Sequence, residues 1–274
     1  MELFLLFLFI IVIIIASFQD LKKREVDNWI NFFLLTAGSS FVIFKSIFSL
    51  DWTFFLIGIF CFVFCFILAN LFYYGRVFAG GDAKLLIALF PIFVSNNFMN
   101  SLSNLGLFIL FLMIAGSFYG LVCSLFFYLR DFNKINNQFK KEIKNKYLLF
   151  GISFAMILIF LSFIDVLIIF FAVFIFFACI LFAFAKSIEK VSMIKQVRPG
   201  ELREGDWLAQ EIKFKNKKIE YSWEGLTKKQ ISFLKKYKKS IRIKEGIAFI
   251  PAFLIAFLIY LFKEEILSFM FSFA

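Results

Sequence analysis

The sequence predicts a polytopic membrane all-α bundle of about eight transmembrane helices, with a small cytoplasmic α+β insertion before the last helix. Three observations predict it. Of 274 residues, 62% are hydrophobic, and Phe alone supplies 47 against 3 Pro. That is far more apolar than a soluble domain, and the mean hydropathy is +0.89. The charge is unevenly placed, with long uncharged runs separated by Lys-rich segments. The same composition excludes a disordered chain and a disulfide scaffold.

Taken in order, the apolar runs lie near Leu3–Phe18, Trp29–Phe44, Trp52–Phe72, Ala83–Val94, Leu105–Leu129, Tyr147–Ile164, Val166–Ala185 and Gly246–Phe262. The first and fourth are short for a bilayer core of about 30 Å. The first has no basic start and no small-residue cleavage site, so it does not read as a signal peptide.

Charge sets the expected orientation. Arg130–Lys146 holds six Lys/Arg and two acids, Lys186–Glu245 holds seventeen and eight, and Ser95–Asn104 holds none. Basic loops stay cytoplasmic, which puts the N-terminus outside, in the plasma membrane. The run 147–185 then crosses twice, turning near Asp165. The expected organisation is a core at 1–129, a basic loop at 130–146, a hairpin at 147–185, an α+β segment at 186–245, and a last helix with tail at 246–274. Within 186–245, Trp207–Phe214, Lys218–Trp223 and Ser240–Lys244 read as strands. Thr227–Tyr237 reads as a helix with Thr227 as N-cap and Gln230 at capping-box spacing.

The composition also limits the chemistry. There is no His, so triads, Cys-His dyads and His-ligated zinc are out. Cys61, Cys65, Cys123 and Cys179 all sit in apolar runs and read as core residues rather than metal or redox sites. No metal or cofactor is expected. The formal charge of +11 lies beside membrane spans and points to anionic lipid head groups, not nucleic acid.

Two acids stand out. Asp20 closes the first run and Asp82 opens the fourth, sixty-two residues apart but on the same expected face. Two carboxylates in a low-dielectric site share a proton, so one serves as base and the other as acid. Asp82 lies at a helix N-terminus, where the dipole favours the anion, and Asp20 at a C-terminus. This favours Asp82 as base. Gly80 and Gly81 lack Cβ atoms and would let an extended substrate approach Asp82. Lys84 reads either as an orienting cation or as an interfacial one. Glu25 and Asp27 read as solvated loop acids among Lys22, Lys23 and Arg24.

Asp20-Leu21-x4-Val26-Asp27-Asn28 and the later Gly80-Gly81-Asp82-x-Lys84 resemble the type IV prepilin peptidases, especially the archaeal preflagellin/prepilin branch of the GxGD membrane aspartic proteases. Glu201-Leu202-x2-Gly205-Asp206-Trp207-Leu208, Gly225-Leu226-Thr227 and Lys244-Glu245-Gly246-Ile247-x-Phe249-Ile250-Pro251 resemble the archaeal C-terminal region. Two departures stand: Ala79 replaces the first Gly of the motif, and Asp27 replaces a Pro usual in bacterial members. The bacterial cysteine motifs are missing, which implies cleavage without N-methylation. The resemblance implies an aspartic endopeptidase with Asp20 and Asp82 catalytic. Its implied substrates are archaellin or pilin-like precursors with class III signal peptides, and it implies Glu25 and Asp27 as attractors of their basic leader, the alternative to solvated loop acids. The rival expectations are a non-catalytic pilus or secretion platform, and a carrier using the same two acids for ion coupling.

Overall fold

A computed structural model of the chain describes residues 3–161, 166–214, 217–219, 222, 225–235 and 239–272. Eleven α-helices and five short strands are assigned among them. Five helices are long and apolar enough to cross a membrane: α1 (Leu3–Lys23), α2 (Asn28–Phe48), α3 (Trp52–Tyr74), α5 (Phe98–Arg130) and α8 (Val166–Ser192). The chain is a multi-pass, predominantly helical membrane protein.

Among the described residues all eight apolar runs form helix, five of them as single membrane-length helices. The fourth folds as α4 (Gly80–Ala88) followed by a 3-10 turn at Phe90–Phe93. The sixth is α7 (Lys146–Leu161), preceded by the amphipathic α6 (Phe132–Ile143) across a 72° bend. The last is α10 (Ile250–Leu261), followed by α11 (Lys263–Phe271). The α4 run is apolar all round because it is enclosed by protein: Leu85, Leu86, Ala88, Leu89, Phe90 and Phe93 are all buried. Hydropathy alone does not separate such a core helix from a lipid-facing one.

The chain divides into two compact units, residues 1–120 with 248–274 and residues 121–247. In the first, α1 packs against α10 and α2, and α4 packs against α2 and α3. One stripe of α1 is buried (Leu5, Phe9, Val12, Ile13, Ala16), while Phe4, Phe7, Ile11, Ile15 and Phe18 are exposed. Both faces are apolar, as a helix between protein and lipid requires. Cys61 and Cys65 are buried, unpaired thiols on α3. Close approach is made at Gly38, where a Cβ would lie 2.2 Å from Pro91 Cγ and 3.3 Å from Phe9 Cζ. The buried face of α2 therefore meets both α1 and the segment after α4.

The second unit contains two parts. Helices α6 and α7 pack on α8. Glu142 on α6 is buried and accepts from Lys190 on α8 at 2.6 Å, which pairs its charge. The expected turn at Asp165 lies outside the described residues. Beyond α8, strands β1 (Ile194–Val197), β5 (Ile241–Lys244) and β2 (Trp207–Leu208) form an antiparallel sheet in the order β1-β5-β2. A separate hairpin joins β3 (Ile212–Phe214) to β4 (Lys217–Ile219).

The α+β part has its own small core, including Leu208, Ile219, Leu234 and Ile243. Strand β1 is an addition to the expected three. It follows directly on the polar end of α8, so no turn signal announces it. The expected strand Trp207–Phe214 is split, because Ala209 still bonds Arg242 whereas Ile212 pairs with Ile219. Helix α9 (Lys228–Leu234) starts as expected, with Thr227 accepting from the Gln230 amide. The two glycines of the late motifs meet. A Cβ on Gly225 (φ +80°) would lie 2.2 Å from the Gly205 carbonyl oxygen, while Gly205 N donates to Leu226 O at 2.9 Å. A side chain at 225 has no room there, and Gly205 takes a left-handed φ of 91° that favours glycine.

Candidate active site

Asp20 is the next position on the buried stripe of α1, one turn beyond Ala16, and is itself buried. Its Oδ2 accepts from the backbone amide of Ile250, the first residue of α10, at 3.0 Å. Phe249 sets this approach. Its ring packs against Phe78 and Phe253, and a Cβ on Gly116 of α5 would stand 2.8 Å from it. The helix-dipole setting of Asp20 is therefore double. Asp20 ends one helix but faces the N-terminus of another, whose free amides favour its anion.

Asp82 is also buried, in the first turn of α4. Its Oδ2 accepts from the amide of Ala79, its N-cap residue, at 3.0 Å. This is half of a capping box. Ala79 has no side-chain acceptor to complete it. Asp82 lies close enough to Asp20 to feel its charge. The sequence-derived pair thus comes together between α1, α4 and the start of α10.

The supporting residues divide. At Gly81 a Cβ would meet nothing within 4 Å, and at Gly80 only Tyr73 at 3.9 Å. Neither glycine has a positive φ. Packing within the chain therefore does not require them, and the space above them is open. Lys84 is exposed and donates to Asn28 Oδ1 at 2.8 Å, tying α4 to α2. Asp27 is held by Gln19, which accepts from its amide at 2.9 Å and donates to its carboxylate. Glu25 is exposed in the same turn, where Arg24 takes a left-handed φ of 60°.

Two features were missed by sequence reasoning. One is the Ile250 amide, a backbone group 230 residues from Asp20 that no side-chain motif reports. The other is Asn31, a buried polar residue one turn into α2. Its signal was present: an amide side chain within an apolar run.

Residues 7–128 match the Type IV leader peptidase family. Both aspartates, the glycines and Lys84 fall inside that stretch, and the resemblance read from the N-terminal motifs is borne out there. The chain is also 35% identical over 115 residues to a preflagellin peptidase of Methanococcus maripaludis (strain C6 / ATCC BAA-1332). The match takes in 39% of this chain and 50% of that relative, so it spans about half the relative's length. No solved structure matches the chain.

Proposed function

We propose that the protein is a membrane-embedded aspartic-type endopeptidase that removes the basic leader from archaellin- or type IV pilin-like precursors at the cytoplasmic face. One observation carries this reading. The stretch that matches the leader peptidases contains two buried carboxylates within electrostatic reach of each other.

Such a pair holds one proton between two acids. The ionised carboxylate takes a proton from water as the water oxygen attacks the scissile carbonyl. The protonated one gives its proton to the leaving amine as the C–N bond breaks. The pair is restored with its roles exchanged, which the amide support on both acids suits. The precursor's extended junction passes over Gly80 and Gly81, where no side chain stands. Glu25 and Asp27 supply acidic charge for the basic leader, with Asp27 fixed by Gln19. The N-terminus lies outside, and the basic segments 130–146 and 186–245 face anionic head groups in the cytoplasm.

Cleavage of a tagged precursor in membranes tests the reading, comparing wild type with Asp20→Asn and Asp82→Asn at equal expression. Wild type should cut, and each variant should lose at least about 10³-fold, as loss of an essential acid–base group does. Normal cutting by both variants would remove the dyad. A wild type that cuts no precursor of this class would remove the proposed activity.

A further inference from the structure

Asn31 is 94% buried, taking its 6% exposure, and both its Nδ2 and Oδ1 lack a hydrogen-bond partner among the described residues. That is costly. An unpaired carboxamide out of water loses on the order of 1–3 kcal/mol for each unsatisfied group. At membrane depth no bulk water repays it. An apolar residue of similar size would fold better there, so the amide needs another reason.

Its position supplies one. Asn31, Leu34 and Gly38 share the buried face of α2, and Gly38 abuts Phe9 of α1 and Pro91 after α4. Asn31 is seven residues before Gly38, or about 10 Å along the helix. On the antiparallel α1, the same distance from Phe9 reaches Ala16, one turn short of Asp20. One turn back along α2 stands Asn28, bonded to Lys84, two residues after Asp82. Asn31 therefore lies roughly one helical turn deeper than the two carboxylates, on the face toward them.

We infer that Asn31 is a substrate-binding residue, whose carboxamide pairs with a main-chain peptide group of the precursor on the membrane side of the scissile bond. This rests on the peptidase reading. A carboxamide offers one donor and one acceptor side by side, which matches the C=O and N–H of a peptide group in extended conformation. A precursor entering the site at the cytoplasmic end of its hydrophobic helix must present such unpaired main-chain groups there, because a helical peptide bond is not open to attack. Pairing them with Asn31 satisfies both partners at once.

Steady-state cleavage of a purified precursor by the reconstituted full-length protein tests this, alongside thermal unfolding. Asn31→Leu should raise KM about tenfold or more with kcat little changed, and should leave the unfolding temperature equal or higher. Asn31→Gln should recover part of the lost affinity. Unchanged KM in Asn31→Leu overturns the inference, with wild-type cutting and the inactive Asp20→Asn control showing that the peptidase reading itself stands. A fall in kcat alone overturns it in favour of a role on the attacking water. A lowered unfolding temperature with normal cleavage overturns it in favour of a structural partner. If wild type cuts nothing, the peptidase reading fails and the inference falls with it.

Discussion

The two aspartates are buried to the same degree but are supported in opposite ways. Asp82 is held by an amide three residues away, in the turn that also starts its helix. Asp20 is held by an amide 230 residues away, at the start of α10. The local support is part of a motif that sequence comparison detects. The distant one lies outside the matched stretch 7–128 and depends on packing of Phe249 between Phe78 and the Gly116 face of α5. The geometry of one acid is therefore set by secondary structure, and that of the other by tertiary structure.

Proline scanning sharpens that contrast most strongly. Ile250→Pro removes the donor to Asp20 and also strains Phe249, whose αR backbone is disfavoured before proline. A hydrogen bond to a charged group is worth about 1.5–3 kcal/mol, so cleavage should fall roughly 10- to 100-fold. Ala79→Pro removes the donor to Asp82 with little strain, because φ at Ala79 is already −75°. Its effect should be smaller, about three- to tenfold, since other first-turn amides of α4 remain nearby. Equal losses, measured as kcat/KM on one precursor, would erase the distinction.

Gly81→Ala is the next test. Nothing within the chain resists the new methyl, so thermal stability should hold or rise by up to about 1 kcal/mol. Cleavage should nonetheless drop about tenfold if the precursor backbone occupies that space. Full activity in this variant would show that the opening above Gly81 is not used. Lys84→Met should do least. The exposed Lys84–Asn28 bond contributes about 1 kcal/mol or less, so cleavage within about threefold of wild type is expected. A hundredfold loss would instead mean that Lys84 acts on the reacting groups.

Much of this was legible in the sequence. Asp20 and Asp82 were found from charge placement and local motif, and Thr227 from capping chemistry. The glycines at 205 and 225 were found as motif residues, though not as a mutual crossing. What was illegible shares one cause. Ile250 acts through its main chain, which every residue has, so its identity carries no signal. The fourth apolar run, a short helix rather than a single long one, hid its setting for a related reason. The residues 83–94 are apolar because α2 and α3 enclose them, and an amino acid looks the same facing protein as facing lipid. Strand β1 is likewise defined by its partner β5, not by a turn of its own.

The distance in sequence between Asp20 and its donor also imposes an order on biosynthesis. Asp20 leaves the ribosome some 230 residues before the amide that will hold it. Four membrane-length helices and the whole α+β segment are made in between. During that interval the carboxylate has no Ile250 amide to accept from, and the nascent chain carries both acids but not their completed setting. The start of α10 acts as a keystone: its arrival completes the pocket only after the elements from α2 to β5 have been made.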